Sequence, residues 1–407
     1  MKRGWQTKTL GEICTTIQDG AHQSPKNQFE SPGEDRFLYI TSKNIRTNYL
    51  DLSNVSYVDR EFHNQIYPRC KPRVGDVLLT KDGANTGNVA LNTIGEPFSL
   101  LSSVCLIKTI PELLMPAFLC YYVQSPDGLK SITGQMTGAA IKRIILRDIK
   151  LAMIPLPTLT EQQRIVAILD QAFEAIAKAR ANAEANLKNA RALFDSHLQS
   201  VFSQRGEGWV ENTLENSVIK DCSLSYGIVQ PGHEYRGGLP VVRPTDLVTK
   251  VIEAEGLKRI DPSLADSYRR TTLRGGDLLL CVRGSTGVVS VASAELAGAN
   301  VTRGIVPISF DPALVCQDFG YYLMRSEVVQ TQIREKTYGA ALMQINIRDI
   351  RILALPLPPL KEQEALATTF DQLESQSRRL ESLYLQKLEA LDELKQSLLH
   401  QAFSGQL

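Results

Sequence analysis

The chain has 407 residues, with 45 Lys and Arg against 44 Asp and Glu, and 43% of its residues are hydrophobic. That length allows two to three domains that each bury a core, while a net charge of +1 excludes a bulk polycation and leaves any nucleic-acid contact to local patches. No run of 18 apolar residues occurs and no apolar stretch follows Met1, Lys2, Arg3, Gly4 and Trp5, so neither a spanning helix nor a signal peptide is expected, and the chain reads as soluble and cytoplasmic.

In chain order, residues 1–157 read as a mixed α/β head. Strand-like runs cover 76–80 (DVLLT) and 104–107, Asp82-Gly83 signals a turn, and a helix-like run over 115–124 carries Tyr121-Tyr122. Pro155 and Pro157 then precede a stretch free of Gly and Pro over 158–205. A proline lacks the N–H that would be unpaired at a helix start anyway, so a long helix is expected there. Val166, Leu169, Phe173, Ile176, Ala183, Leu187, Ala190, Phe194 and Val201 form a heptad seam on it, broken by Arg180 and His197.

A second mixed α/β head follows over 206–359. Its strand-like runs cover 277–282 (DLLLCV) and 304–308, with a turn at Gly284-Ser285 and a helix-like run over 318–326 that carries Tyr321-Tyr322. Pro358 and Pro359 precede the second long helix, expected over 360–407, whose seam runs through Phe370, Leu373, Leu380, Tyr384, Leu388, Leu391, Leu398 and Ala402.

These four segments are a duplication. GAAIKRIILRDIKLAMIPLPTLTEQQ at 138–163 recurs as GAALMQINIRDIRILALPLPPLKEQE from Gly339, and the offset of 201 holds at Asp170/Asp371, Leu187/Leu388 and Phe202/Phe403. Upstream, RVGDVLLTKDGANTG from Arg73 matches RGGDLLLCVRGSTG from Arg274 with one residue inserted, and Gly4-Trp5 with Thr9-Leu10 matches Gly208-Trp209 with Thr213-Leu214. Solenoid units run roughly 20 to 50 residues, so a period this long is a duplicated domain plus connector. Small residues at Ala172, Ala175 and Ala179 admit a close partner helix. The two helices are therefore expected to pair antiparallel as an intramolecular coiled coil, with the heads related by a pseudo-twofold axis. About 45 helical residues separate the ends by roughly 65 Å.

Chemistry-bearing motifs are few. Lys81 to Gly87 (KDGANTG) and Arg283 to Gly287 (RGSTG) are glycine-rich without a following G-K-[ST], and no nucleophile elbow or H-E-x-x-H occurs. The seven cysteines, Cys14, Cys70, Cys105, Cys120, Cys222, Cys281 and Cys316, form an odd set without C-x-x-C, so neither a disulfide framework nor a metal site is expected. The first head carries 18 basic and 14 acidic residues and the second 16 and 17, a balance that diagnoses nothing alone.

The repeated P-L-P-x-L-x-E-Q tails (155–162 and 356–363), the R-x-G-D-h-L-L strand with its Gly-Thr-Gly turn, and the opening Gly-Trp with Thr-Leu resemble the specificity subunit of type I restriction-modification systems, in family order and across essentially the whole chain. One departure is that the second head lacks the Leu10-Gly11-Glu12 that follows Thr9 in the first. The resemblance implies two target-recognition domains, each reading one half of an asymmetric bipartite DNA site, with helices that set the gap. It also implies a chain without catalytic activity, assembled with two methyltransferase subunits that carry S-adenosylmethionine and with two motor-nuclease subunits.

Base readout needs Arg, Lys, Asn, Gln or Ser on exposed loops. The candidates are Lys43, Asn44, Lys81, Lys142 and Arg143 in the first head, and Arg243, Arg283, Ser285 and Gln344 in the second. Glu161, Gln162, Glu362 and Gln363, at equivalent helix starts, are candidates for docking the methyltransferase, against the plainer reading of first-turn caps. Two other classes compete: a self-contained DNA methyltransferase or nuclease, which the missing cofactor loop argues against, and a coiled-coil scaffold, for which two elaborate heads are superfluous.

Overall fold

The computed structural model describes residues 4–134, 143–340 and 342–407. The chain divides into two compact units, Met1–Glu184 with Gln386–Leu407 and Ala185–Leu385, so each unit combines a head with parts of both long helices.

In unit 1 the β-rich runs pair into a four-stranded antiparallel sheet in the order Cys14–Asp19, Val104–Thr109, Val77–Thr80, Val89–Leu91. A second four-stranded sheet has the order Gln28–Phe29, Ser56–Asp59, Arg36–Ile40, Ser99–Leu100, and its last pair is parallel. Unit 2 repeats three strands of the first sheet, Ile305–Ile308, Leu278–Cys281 and Val289–Ala292, but its fourth strand, Val251–Ile252, pairs parallel with Val289–Ala292 at the edge opposite the place that Cys14–Asp19 takes in unit 1. The second sheet recurs in reduced form as Lys258–Ile260, Leu239–Val242, Asn300–Val301. The strand runs read from the sequence lie in these sheets, and the two tyrosine-bearing runs form the helices Pro116–Gln124 and Gln317–Arg325.

Each head is closed by a two-stranded ribbon. Gln6–Thr9 pairs with Met153–Leu156, and Val210–Thr213 pairs with Ala354–Leu357. The strand leading into each long helix contains a proline, Pro155 or Pro356, which such a narrow ribbon tolerates because its outer edge needs no ladder donor. The long helices then span Leu159–Gln204 and Leu360–Ser404.

Within unit 1, Phe173 and Arg180 of the first long helix meet Lys395 and Asp392 of the second, and Arg164 donates to the carbonyl of Leu407, just beyond its end. Within unit 2, Arg191 and His197 of the first meet Glu381 and Phe370 of the second. In both units the partners run in opposite chain order. Val166, Leu169, Ala183, Leu187, Ala190 and Phe194 of the expected seam are buried. On the second helix Leu380 is exposed, and the buried face runs instead from Phe370 through Glu374 to Ser377. Burial of Glu374 is tolerated because Arg325, Arg378 and the Tyr322 hydroxyl all donate to its carboxylate, at 2.9, 3.1 and 3.1 Å.

The helix ends complete the heads' cores. Phe403, near the end of the second long helix, stands edge-on to Phe118 and Tyr122 at 5.1 and 5.2 Å. Its repeat counterpart Phe202, near the end of the first, lies 5.6 Å from Phe319 and 6.1 Å from Phe370. Truncating a buried Phe to Ala costs about 3–5 kcal/mol through lost burial and the cavity left behind. Phe403→Ala and Phe202→Ala are each expected to lower the urea midpoint of unfolding correspondingly. An unchanged midpoint for Phe403→Ala would show that the first head closes without the second long helix.

Candidate nucleic-acid interface

In the first head two turns converge. One joins Val77–Thr80 to Val89–Leu91, and its Gly83 and Gly87 adopt φ of +94° and +97°, a conformation that a side chain would strain. The other follows Arg36–Ile40. Asn44 is 3% exposed and its amide is fully used: Oδ1 accepts the Thr41 N–H at 3.0 Å, and Nδ2 donates to the carbonyls of Asp51 and Asn54 at 3.1 and 3.2 Å. Asn85 Nδ2 donates to the Ser42 carbonyl at 3.4 Å and ties the turns together.

Lys81 is also 3% exposed, with Nζ 3.5 Å from Asp19 and 3.4 Å from Asp82. Asp19 further meets Arg69 at 2.7 Å and His22 at 3.0 Å. Burial alone would raise its carboxyl, but the Arg69 hydrogen bond and the charges of Lys81 and His22 outweigh that and hold it below the usual carboxylate range. Asn44 and Lys81 are therefore corrected from base readers to internal fasteners. Arg143 stays at the surface, with Nε donating to Asp82 Oδ1 at 3.0 Å. Lys43 is exposed, and its ammonium has no ion-pair partner among the described residues. Lys142 lies outside the described residues.

The second head builds the same junction with different side chains. Its turn joins Leu278–Cys281 to Val289–Ala292, with Gly284 and Gly287 at φ of +84° and +93°. In the first head Asp82 and Arg143 form an antiparallel bridge, backed by Ile144 N–H donating to the Lys81 carbonyl at 2.9 Å. In the second, their repeat counterparts Arg283 and Gln344 form that bridge, backed by Ile345 N–H donating to the Val282 carbonyl at 3.1 Å. Arg283 has no ion-pair partner among the described residues, and its buried Nε has no hydrogen-bond acceptor there.

Ser285 is exposed beside Arg283, and Gln344 is fixed through its backbone to Tyr338 with its side chain half-buried. Arg243 is committed: its backbone N–H, Nε and Nη2 all donate to Asp246, at 2.8, 3.1 and 2.8 Å. Sequence reasoning missed Arg303, an exposed guanidinium in the Thr-Arg-Gly turn next to Gly304, whose surroundings include Pro244 and Arg283. The signal available was a basic residue in a short glycine turn before a strand.

The helix-start candidates divide sharply. Gln162 and Gln363 are 0% and 1% exposed. Gln162 Oε1 accepts the Met115 N–H at 2.8 Å, while Nε2 donates to the carbonyls of Leu113 and Pro157 at 2.8 and 3.0 Å. Gln363 repeats all three bonds, from Cys316 and to Leu314 and Pro358, at 2.8, 2.9 and 2.8 Å. Both glutamines are corrected from docking residues to clamps between helix and head. Glu161 pairs with Arg164 at 2.8 Å, and Glu362 accepts the Trp209 indole N–H at 3.0 Å.

Comparison with known proteins assigns this architecture. The family model described as the type I restriction modification DNA specificity domain matches residues 2–187 and 233–390. The EcoBI specificity subunit of Escherichia coli is 24% identical over 354 residues, covering 82% of this chain and 73% of that one. The StySPI specificity subunit of Salmonella potsdam is 21% identical, covering 100% and 90%. Among solved structures, a chain from a type I R-M system aligns with a TM-score of 0.74 at 22% identity over 100% of this chain and 99% of its own. The HsdS subunit from Thermoanaerobacter tengcongensis aligns at 0.64 and 20% over 100% and 98%. No helix among the described residues is long and apolar enough to cross a membrane. With the family model covering most of its length, the chain belongs to the DNA specificity subunits of type I restriction-modification systems.

Proposed function

We propose that the chain reads an asymmetric bipartite DNA site, with the head over 1–157 on one half and the head over 206–359 on the other. The observation that carries this reading is the duplicated bridge beside the glycine turn, which presents Asp82 and Arg143 in one head and Arg283 and Gln344 in the other. Like backbones bearing unlike side chains suit unlike half-sites. Lys43, Lys142, Arg143, Arg243, Arg283, Ser285 and Gln344 are the DNA-facing residues of this reading. The long helices over 158–205 and 360–407 pair antiparallel as an intramolecular coiled coil, relate the heads by a pseudo-twofold axis and set the gap. The opposite-order helix contacts within each unit support that pairing.

The chain is a non-catalytic recognition subunit that works in the cytoplasm. Two methyltransferase subunits dock against it near Glu161 and Glu362 and hold the S-adenosylmethionine, and two motor-nuclease subunits complete the assembly. The repetition of both helix starts supports two copies of one partner.

A methylome at base resolution, with and without this gene, tests the reading. One bipartite motif, two short unlike elements split by a fixed gap, is expected to lose its methylation. An unchanged methylome in a host that expresses the partner methyltransferase would refute it. At residue level, Arg283→Ala in the assembled complex is expected to lose about 1–3 kcal/mol of discrimination at one base pair of the second element, guanine being the favoured partner of arginine. If Arg143→Ala and Arg283→Ala together leave discrimination intact in competition binding, the bridge does not read bases.

A further inference from the structure

Beside the Asn44 turn of the first head lies a cleft of about 350 Å³. Ser24, Gln28, Tyr39, Lys43 and Ser56 line it, with Leu101 as an apolar wall. Its lining contains no carboxylate, and Lys43 is its one cation. Of the other basic candidates, Arg143 pairs with Asp82, Arg243 with Asp246, and Lys81 with both Asp19 and Asp82, whereas Arg283, like Lys43, has no ion-pair partner among the described residues. The side chains of Ser24, Gln28, Lys43 and Ser56 make no hydrogen bond among the described residues.

Tyr39 is the sharpest observation. It is 2% exposed and held in the sheet opposite Ser56 and Ser99, with its ring edge-on to Phe62, yet its buried hydroxyl has no partner among the described residues. An unpaired buried hydroxyl is disfavoured, and such groups are rare unless something outside the chain satisfies them. Burial pushes the phenol up to about 12, so at neutral pH it keeps its proton and can donate. The lining thus brings together an ammonium that can only donate, a tyrosine whose buried hydroxyl has an unused proton and two serines with uncommitted hydroxyls, without a carboxylate. Such a site suits an anion with several acceptor oxygens. The cleft is concave and so accepts a group that projects from its ligand. Phosphates project from a duplex, whereas base edges lie recessed in the grooves.

Resting on the reading that this head engages DNA, we infer that the Tyr39–Lys43 cleft is a phosphate anchor, which receives one backbone phosphodiester and fixes the register of the first head on its half-site. Lys43 thereby serves positioning and not base readout. Tyr39 completes the site directly or through an ordered water. At the equivalent place in the second head, Val241 pairs with Asn300 as Tyr39 pairs with Ser99, and it brings no hydroxyl.

The test uses the chain assembled with its methyltransferase subunits on duplexes carrying the cognate site, with binding measured over a range of salt. Lys43→Met is expected to weaken cognate and altered sites by the same factor, about tenfold, and to lower the slope of log affinity against log salt by about 0.9, the value of one neutralised phosphate. Tyr39→Phe keeps the ring against Phe62 and is expected to weaken all sequences uniformly by several-fold, with the slope and the melting temperature preserved. An unchanged slope for Lys43→Met, or losses confined to particular base pairs in either variant, overturns the anchor. If the unsubstituted complex shows no sequence preference at all, the DNA-reading function itself falls, and that result is distinct from a specific complex whose Lys43 variant keeps its slope.

Discussion

The ring of Phe403 sits against Phe118 and Tyr122, in a head built from the opposite end of the chain. Leu399 and Ala402 accompany it into the same buried cluster, so the first head's core includes side chains from the last turns of the second long helix. The second head is completed by Phe194, Leu198 and Phe202, which immediately precede it in sequence. The two closures therefore differ in loop entropy although their contacts are alike. Joining the first head to residue 403 closes nearly the whole chain, and joining the second to residue 202 closes a much shorter segment. The second unit has the lower topological cost, while the first cannot finish its core until the rest of the chain is present.

That closure needs each helix to meet its head at one angle, and the buried glutamines supply the constraint. A carboxamide with three bonds to backbone groups is costly to displace, because every partner left behind would be an unpaired buried polar group. Gln162 and Gln363 each sit in that position. A second tie lies two turns further along: the hydroxyls of Tyr121 and Tyr322 donate to Asp170 and Asp371. In the second unit this tie has grown into a charged cluster, with Lys250 also donating to Asp371 and Arg325 and Arg378 to Glu374. In the first unit the counterpart of Glu374 is Phe173, which takes the Tyr121 ring edge-on at 5.4 Å. The same joint is thus held by ions in one unit and by aromatic packing in the other.

The repeat, the helices and the main strands were legible because each rests on periodicity or on an offset, and both survive without knowledge of the fold. Side-chain fates at the turns were not legible. Lys81 in a glycine-rich loop looks solvent-facing, and only the return of Asp19 from a distant strand makes it internal. Asn44 is taken inward by carbonyls of the following loop. Gln162 carried a readable signal: with Ile165, Val166 and Leu169 it occupies positions i, i+3, i+4 and i+7, the stripe that turns out buried. Gln363 stands in the same relation to Ala367 and Phe370. A polar residue on an apolar stripe, repeated at the same place in both halves, marks a buried hydrogen-bond clamp. The Leu380 position failed in the opposite sense, because Arg325, Arg378 and Tyr322 make Glu374 a better occupant of the interior than heptad counting allows.

Placed on this frame, the duplicated bridge carries unlike side chains in the two heads without disturbing what holds them. Its backbone is fixed by the neighbouring N–H bonds from Ile144 and Ile345, and its turn by glycines at positive φ, so none of its geometry depends on the side chains at the bridge itself. Asp82 and Arg143 neutralise one another, whereas Arg283 and Gln344 leave a full positive charge and an amide at the same place. An arginine restrained by a carboxylate must give up that pairing to reach another partner, while Arg283 has no ion pair among the described residues to give up. On the reading proposed above, the heads differ in the free energy needed to free an arginine for DNA, and a single exchange at the bridge would change that difference while leaving the glutamine clamps and the phenylalanine closures as they are.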